Sequence, residues 1–108
     1  MLSRIDDPVS LSGNGSVQVC GPITWEAGEL TADFCFILRQ EDRLLVGRSD
    51  AAKGTLKWMG TNLRRSGGAF KAGPATGTVV AVVRRNVAAR PVVTATWTQE
   101  VLIAPPAS

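Results

Sequence analysis

The two cysteines are the residues of this 108-residue chain whose type and spacing most directly suggest chemistry. If the chain folds back at residues 26–29, Cys20 and Cys35 become directly opposed residues of one hairpin that runs over 16–40. Opposed residues of an antiparallel pair have Cα atoms about 4.5 to 5.5 Å apart, which is compatible with a disulfide. The alternative is a pair of reduced thiols that pack as small core residues. A C-x-x-C redox pair is excluded by the spacing, and two thiolates alone cannot close a tetrahedral metal site.

Histidine is absent, which excludes Ser-His-Asp and Cys-His nucleophiles and any zinc site with imidazole ligands. Glu26 and Glu29 share the predicted turn, and paired carboxylates can hydrolyse glycosides when a cleft holds them about 5 to 10 Å apart. A hairpin tip is convex, so these acids are expected to serve solubility. We therefore predict a protein that is not an enzyme, with no catalytic residues, no metal site and no cofactor.

The stretch 60–68 is polar, glycine-rich and basic, which is typical of an exposed loop. Its candidate interaction residues are Asn62, Arg64 and Arg65.

A candidate basic patch flanks a later turn and consists of Arg84, Arg85 and Arg90. Two basic loops at one end of the molecule could hold phosphate backbones through charge. Aromatic residues for base stacking are scarce, since the chain has no tyrosine, three phenylalanines and three tryptophans. This composition favours a solvated basic surface over nucleic-acid binding.

The three tryptophans, Trp25, Trp58 and Trp97, could stack on a sugar. Each lies on the apolar side of its own strand when side chains alternate, so core packing is the favoured interpretation.

Charge is unevenly distributed along the chain. Residues 1–42 carry seven acids and two bases, whereas residues 43–108 carry ten bases and two acids. Such halves could meet head to tail between subunits, or their strands could interleave so that the charges mix.

Short alternating apolar runs separated by glycine, proline and asparagine turns predict the elements that must position these residues. We expect an all-β fold, an antiparallel β-sandwich of seven or eight short strands. The predicted fold resembles the immunoglobulin-like architecture in size and rhythm only, because the inter-sheet Cys…Trp…Cys spacing is missing. The predicted core consists of Val17, Val19, Ile23, Trp25, Phe34, Phe36, Leu38, Leu56, Trp58, Phe70, Val79, Val83, Val93, Trp97 and Val101.

The run 79–83 is apolar on both faces, which is typical of a central strand or one covered by another subunit. Val80 and Val82 are therefore candidate subunit contacts. Residues 92–103 are predicted to close a second hairpin with this strand, in which Gln99 interrupts the apolar face and predicts a bulge or a sheet edge.

We expect a single domain over 1–103 and a proline-rich tail over 104–108. The first residues do not read as a signal peptide, and no apolar run is long enough to cross a bilayer. The favoured function is a non-catalytic structural or assembly subunit that acts through protein contacts, such as a phage decoration, tail or capsid-associated protein. Its location would be the virion or the extracellular space after assembly. The alternative is a secreted or cell-surface ligand-binding module for a glycan or a protein, with its site in the loop 61–68 or at an exposed tryptophan.

Overall fold

The computed structural model describes residues 1–86, 88–89 and 91–106. Over these residues the chain is all-β, and its strands pair antiparallel in three sheets. The described strands are β1 (Leu2–Ser3), β2 (Ser10–Leu11), β3 (Val17–Gln18), β4 (Cys20–Thr24), β5 (Glu29–Gln40), β6 (Arg43–Ala52), β7 (Lys57–Met59), β8 (Thr61–Ser66), β9 (Gly73–Arg85) and β10 (Val92–Ile103).

The largest sheet has five strands in the order β10-β9-β5-β6-β8. Its central strand, β5, alternates as predicted, with Ala32, Phe34, Phe36 and Leu38 buried and the residues between them more exposed. The chain turns at residues 41–42, where Gln40 pairs with Arg43 and opens the β5–β6 ladder.

The second predicted hairpin is also confirmed, and β9 pairs with β10 from Gly73 opposite Ile103 to Arg84 opposite Val92. The register continues through Gln99, so the bulge predicted there is absent, while β10 does form the edge of the described sheet. At this edge the Gln99 side chain binds the backbone of Ile5 through two hydrogen bonds. Its Nε2 donates to the carbonyl oxygen of Ile5 at 2.8 Å, and its Oε1 accepts from the Ile5 amide at 2.9 Å.

Two smaller sheets, β1-β4-β7 and β2-β3, contribute residues to the same core. Trp58 of β7 stacks on Phe34 with ring centroids 5.4 Å apart and lies 5.9 Å from the ring of Phe36. The small sheets therefore lie against the inner face of β5. The sheets differ greatly in size, and the finer prediction of a sandwich with seven or eight strands is not confirmed.

The predicted hairpin over 16–40 is wrong. β4 pairs with β1 and β7, whereas β5 pairs with β6 and β9. Both halves of the stretch alternate as expected, but their apolar sides face each other across the core. Alternation defines the face that a strand buries and leaves its neighbour in the sheet undefined.

Most of the predicted core is buried, and Leu56 is the clear error, with 78% of its surface exposed. This residue precedes β7, and Trp58 alone of the strand enters the core. Trp25, Val93 and Trp97 are half-buried and pack against the core. The predicted core list omits several residues that the structure buries, which are Ile5, Val9, Ala32, Leu45, Ala75, Ala81 and Ile103.

Candidate functional site

The disulfide prediction is wrong, since Cys20 and Cys35 are both free thiols. They belong to different sheets, so the register that would oppose them does not form. Cys35 is exposed at the middle of β5, on the side that faces away from the core. Cys20 alternates with the buried Gly21 and therefore faces away from the core on the small sheet.

Cys20 belongs to a small polar cluster with Asp6 and Lys57. Its Sγ donates to Asp6 Oδ2 at 3.5 Å, and Lys57 Nζ lies 3.0 Å from the same oxygen. Partial burial is the main cause that raises the pKa of Cys20; Lys57 opposes this rise and Asp6 adds to it. The hydrogen bond to Asp6 raises the pKa of Lys57. The thiol therefore stays protonated near neutral pH and is a poor nucleophile.

We expect iodoacetamide at pH 8 to modify Cys35 much faster than Cys20, because a raised pKa lowers the thiolate fraction of Cys20 at any given pH. Asp6→Asn should speed the reaction of Cys20, since the acid raises its pKa, and Lys57→Met should slow it. Peptide mass spectrometry over a time course measures both rates. Equal rates at the two cysteines would contradict the assigned environments.

The predicted interaction loop 61–68 is an edge strand over most of its length, because Thr61–Ser66 pairs with β6 as β8. Asn62 Nδ2 donates to the carbonyl oxygen of Val17 at 3.0 Å, and Arg65 Nη1 donates to that of Gly15 at 3.3 Å. Two of the three candidate residues thus bind the strand to the β2–β3 hairpin. Arg64 lies opposite Val46 on the other side of the sheet.

A shallow groove of about 260 Å³ lies where β8 meets this hairpin. Its lining residues are Ser16, Val17, Leu45, Asn62, Leu63, Arg64 and Arg65. All three candidate residues of the predicted loop line this groove, although the structure makes the segment a strand.

The two arginine groups do not come together as one patch. β5 and β6 separate β9, which carries Arg84 and Arg85, from β8 with Arg64. Arg84 lies 3.8 Å from Asp33, and Arg85 donates to the carbonyl oxygen of Ala27 at 3.5 Å. Arg90 lies outside the described residues.

The candidate carboxylates form an ion pair with the amino terminus. Glu29 is 1% exposed, its Oε2 lies 2.7 Å from the Met1 nitrogen, and its Oε1 accepts from the Glu26 amide at 2.6 Å. Glu26 Oε2 lies 3.4 Å from the same nitrogen and its side chain is largely exposed. The burial of Glu29 was missed, because an acid at a turn is ordinarily solvated.

The tryptophans follow the core interpretation in different degrees. Trp58 is buried and its Nε1 donates to Ser3 Oγ at 2.9 Å. Trp25 is half-buried and donates to the carbonyl oxygen of Thr55 at 2.7 Å. Trp97 is also half-buried, and its Nε1 has no hydrogen-bond partner among the described residues.

The remaining surface is the side of the five-stranded sheet that points away from the core, called here the outer face. Val80 and Val82 lie on it, both half-buried beside their neighbours in the sheet. In the ladders Val80 lies between Cys35 and Thr96, and Val82 lies between Asp33 and Thr94. The same face carries the apolar residues and threonines Leu44, Val46, Ile37, Thr76, Thr78 and Thr98 together with the charged residues Arg39, Arg48 and Asp50. Sequence analysis found the two valines and missed the rest, because no pattern indicated which strands would be neighbours.

Among the described residues no three acidic, cysteine or histidine side chains form a group that could hold a metal ion. The described chain also contains no helix of the length and apolarity that a membrane crossing requires. A scan against protein-family models, a search of curated proteins and a search of solved structures each found no match to this chain.

Proposed function

We propose that this protein is a non-catalytic assembly subunit that acts through protein–protein contacts, such as a decoration, tail or capsid-associated protein of a phage. The observation that carries the proposal is the outer face of the five-stranded sheet. No described segment of the chain covers it, although Ile37, Val46 and Val80 lie near its centre among charged residues and threonines. The location that accompanies this proposal is the virion or the extracellular space after assembly.

The composition of the outer face supports a contact role. An antiparallel sheet with one solvated face ordinarily alternates apolar and polar residues. Here Val80, Val82, Leu44, Val46 and Ile37 form adjoining positions on the side away from the core. Ile37 remains 42% exposed. Apolar residues that a fold leaves exposed beside charged ones, as here beside Arg48 and Asp33, support an interaction site.

The edges of the sheet are less suited to contact than its face. At the β10 edge, the Val9 amide donates to the carbonyl oxygen of Leu102, and the Ala104 amide donates to that of Val9. At the other edge, β8 carries Arg64 and Arg65, and charged edge strands disfavour pairing with another sheet. These features direct association toward the outer face.

We include in the proposal the finer architecture, an antiparallel β-sandwich of seven or eight strands that is immunoglobulin-like in size and rhythm. The stacking of Trp58 on Phe34 supports it, because this contact joins the small sheet to the five-stranded sheet.

The test is the molar mass in solution, measured by light scattering over a concentration series at low and moderate salt. We expect masses above the 11.4 kDa of one chain that rise with concentration. Added salt should lower them, because it screens the charged pairs at the rim of a contact. A mass of one chain under every condition would contradict the proposal.

A second candidate function is a secreted or cell-surface ligand-binding module. The groove beside β8 favours it, because Leu45 and Leu63 there adjoin two arginines and an amide in a concave surface. Its partner would be a glycan or another protein. A single-chain mass at all concentrations would make this the better proposal.

A further inference from the structure

We propose that the groove beside β8 binds an acidic segment of a partner protein. A carboxylate of that segment would lie between Arg64 and Arg65, and an aliphatic side chain next to it would pack on Leu63. This inference rests on the second candidate function, because it names the partner of the same groove.

A β-bulge in β8 gives the groove its shape. In a regular strand, residues three positions apart lie on opposite faces. Here a register shift leaves Leu63 out of the ladder to β6, so that Asn62 lies opposite Gly47. Arg65 lies opposite Leu45, and both residues of β6 are buried. Asn62 and Arg65 therefore project from the same side of β8, and bulges re-aim side chains in this way beside functional sites.

Hydrogen bonds fix both ends of the groove. Asn62 Nδ2 donates to the carbonyl oxygen of Val17 at 3.0 Å, and Arg65 Nη1 donates to that of Gly15 at 3.3 Å. The Gly15 carbonyl oxygen also accepts from the amide of Phe70 at 3.2 Å. The concave surface is thus formed before a ligand arrives, and binding need not order it.

The charges that line the groove are all positive. They belong to Arg64 and Arg65, and no described acidic residue lines it. The ion pairs found among the described residues include neither arginine. Asp50 lines the adjoining groove, where Arg48 opposes its charge. A guanidinium presents five donors in a planar fork that matches a carboxylate, so the complementary ligand is an anion.

The size and lining of the groove favour a protein segment over other anions. Pockets that hold a whole small molecule measure about 300 to 1,000 Å³, and this groove of about 260 Å³ accommodates only a part of a larger partner. No described aromatic residue lines it, so it lacks a ring on which a base could stack. Leu63 lies beside the arginines and is 60% exposed. An acidic residue next to an aliphatic one would satisfy both features.

The same arginines make the edge selective. Charged residues on an edge strand disfavour pairing with an arbitrary strand. They favour a segment of opposite charge, so Arg64 and Arg65 both exclude wrong partners and attract the right one. Binding at this edge is therefore compatible with the association of copies through the outer face.

The first test titrates the full chain with a fluorescein-labelled peptide that carries Leu-Glu-Asp-Leu between flanks of glycine and serine. We expect a saturable rise in anisotropy that shifts to higher peptide concentration as salt is added, because salt screens the charges. The matched peptide has Gln and Asn in place of Glu and Asp and should not bind. Equal binding of the two peptides, or binding of neither, would overturn the inference.

Substitutions locate the site on the protein. Arg64→Gln should weaken binding about tenfold or more, because a hydrogen bond to a charged group is lost. Arg39→Gln is the matched control, since it removes the same charge from an exposed position of β5 outside the groove. Its effect should stay below about twofold at moderate salt. Leu63→Asn tests the apolar contact and should also weaken binding, while circular dichroism checks the fold of each variant. Equal losses for Arg64→Gln and Arg39→Gln would overturn the site.

Two further measurements separate this inference from its alternatives. A short oligo-deoxythymidine and a heparin oligosaccharide are titrated in the same way. If either bound more tightly than the acidic peptide and lost its affinity in Arg64→Gln, the assignment to a protein segment would be overturned. Light scattering on the same samples tests assembly independently. Oligomers without peptide binding would overturn this inference and leave the assembly proposal intact, whereas peptide binding by a single-chain species would do the reverse.

Discussion

Replacing Phe36 with alanine is expected to lower the free energy of unfolding by about 3 to 5 kcal/mol. Its side chain is 1% exposed, and its ring lies against Trp58. The ring also fills a slot over Gly47 and Gly60, because a Cβ at either glycine would clash with it. Two backbone segments line this slot and cannot collapse into it, so the substitution should leave a cavity.

Urea denaturation followed by circular dichroism measures this loss. Tryptophan fluorescence is less suitable, because the substitution itself changes the surroundings of Trp58. Leu56→Ala is the control and should change the stability by less than about 0.5 kcal/mol, because its side chain is exposed. The loss of stability for Trp97→Ala should lie between those of Phe36→Ala and Leu56→Ala, since Trp97 is half-buried. A near-neutral effect at Phe36 would mean that β5 buries the opposite face.

The sequence was sufficient to predict β5 as a strand but not to predict the strands that pair with it. Alternation along 29–40 was sufficient to assign the strand and the side of it that carries its four buried apolar residues. The pairing of β5 with β9 depends on contacts between residues more than 35 positions apart in the chain, such as Phe36 with Val79. A local pattern contains no information about such a contact, so the hairpin over 16–40 was a reasonable but wrong choice.

The segment that forms the edge strand β8 was predicted to be a loop, and this error has a different reason. Residues 61–66 are polar and glycine-flanked, and every one of them is exposed. No apolar face distinguishes such a strand from a loop. It is ordered by its ladder to β6 and by the bond from Asn62 to Val17, and both partners are distant in sequence.

The charge asymmetry of the sequence does not persist as two separate regions. Asp6 of the acidic half lies 3.0 Å from Lys57 of the basic half. Asp33 lies 3.8 Å from Arg84 in the same way. The interpretation in which strands interleave and charges mix is therefore favoured over a contact between an acidic and a basic half.

The burial of Glu29 leads to the second large expected effect, which no sequence pattern indicated. Replacing Glu29 with alanine should lower the free energy of unfolding by about 3 to 5 kcal/mol, because removing one partner of a buried ion pair leaves the other unpaired. The substitution also removes the acceptor of the Glu26 amide. Denaturant unfolding at neutral pH measures the loss.

Two further variants separate the charge of Glu29 from its hydrogen bond. Glu29→Gln keeps an oxygen for the Glu26 amide and removes only the charge, so its loss of stability should be smaller than that of Glu29→Ala. Glu26→Gln removes a carboxylate that is 3.4 Å from the same amino group but is 65% exposed, and should cost less than about 1 kcal/mol. Equal losses of stability for Glu26→Gln and Glu29→Ala would show that burial does not strengthen the ion pair between Glu29 and the Met1 nitrogen. A difference between them would establish Glu29 as the residue that anchors the amino terminus to β5.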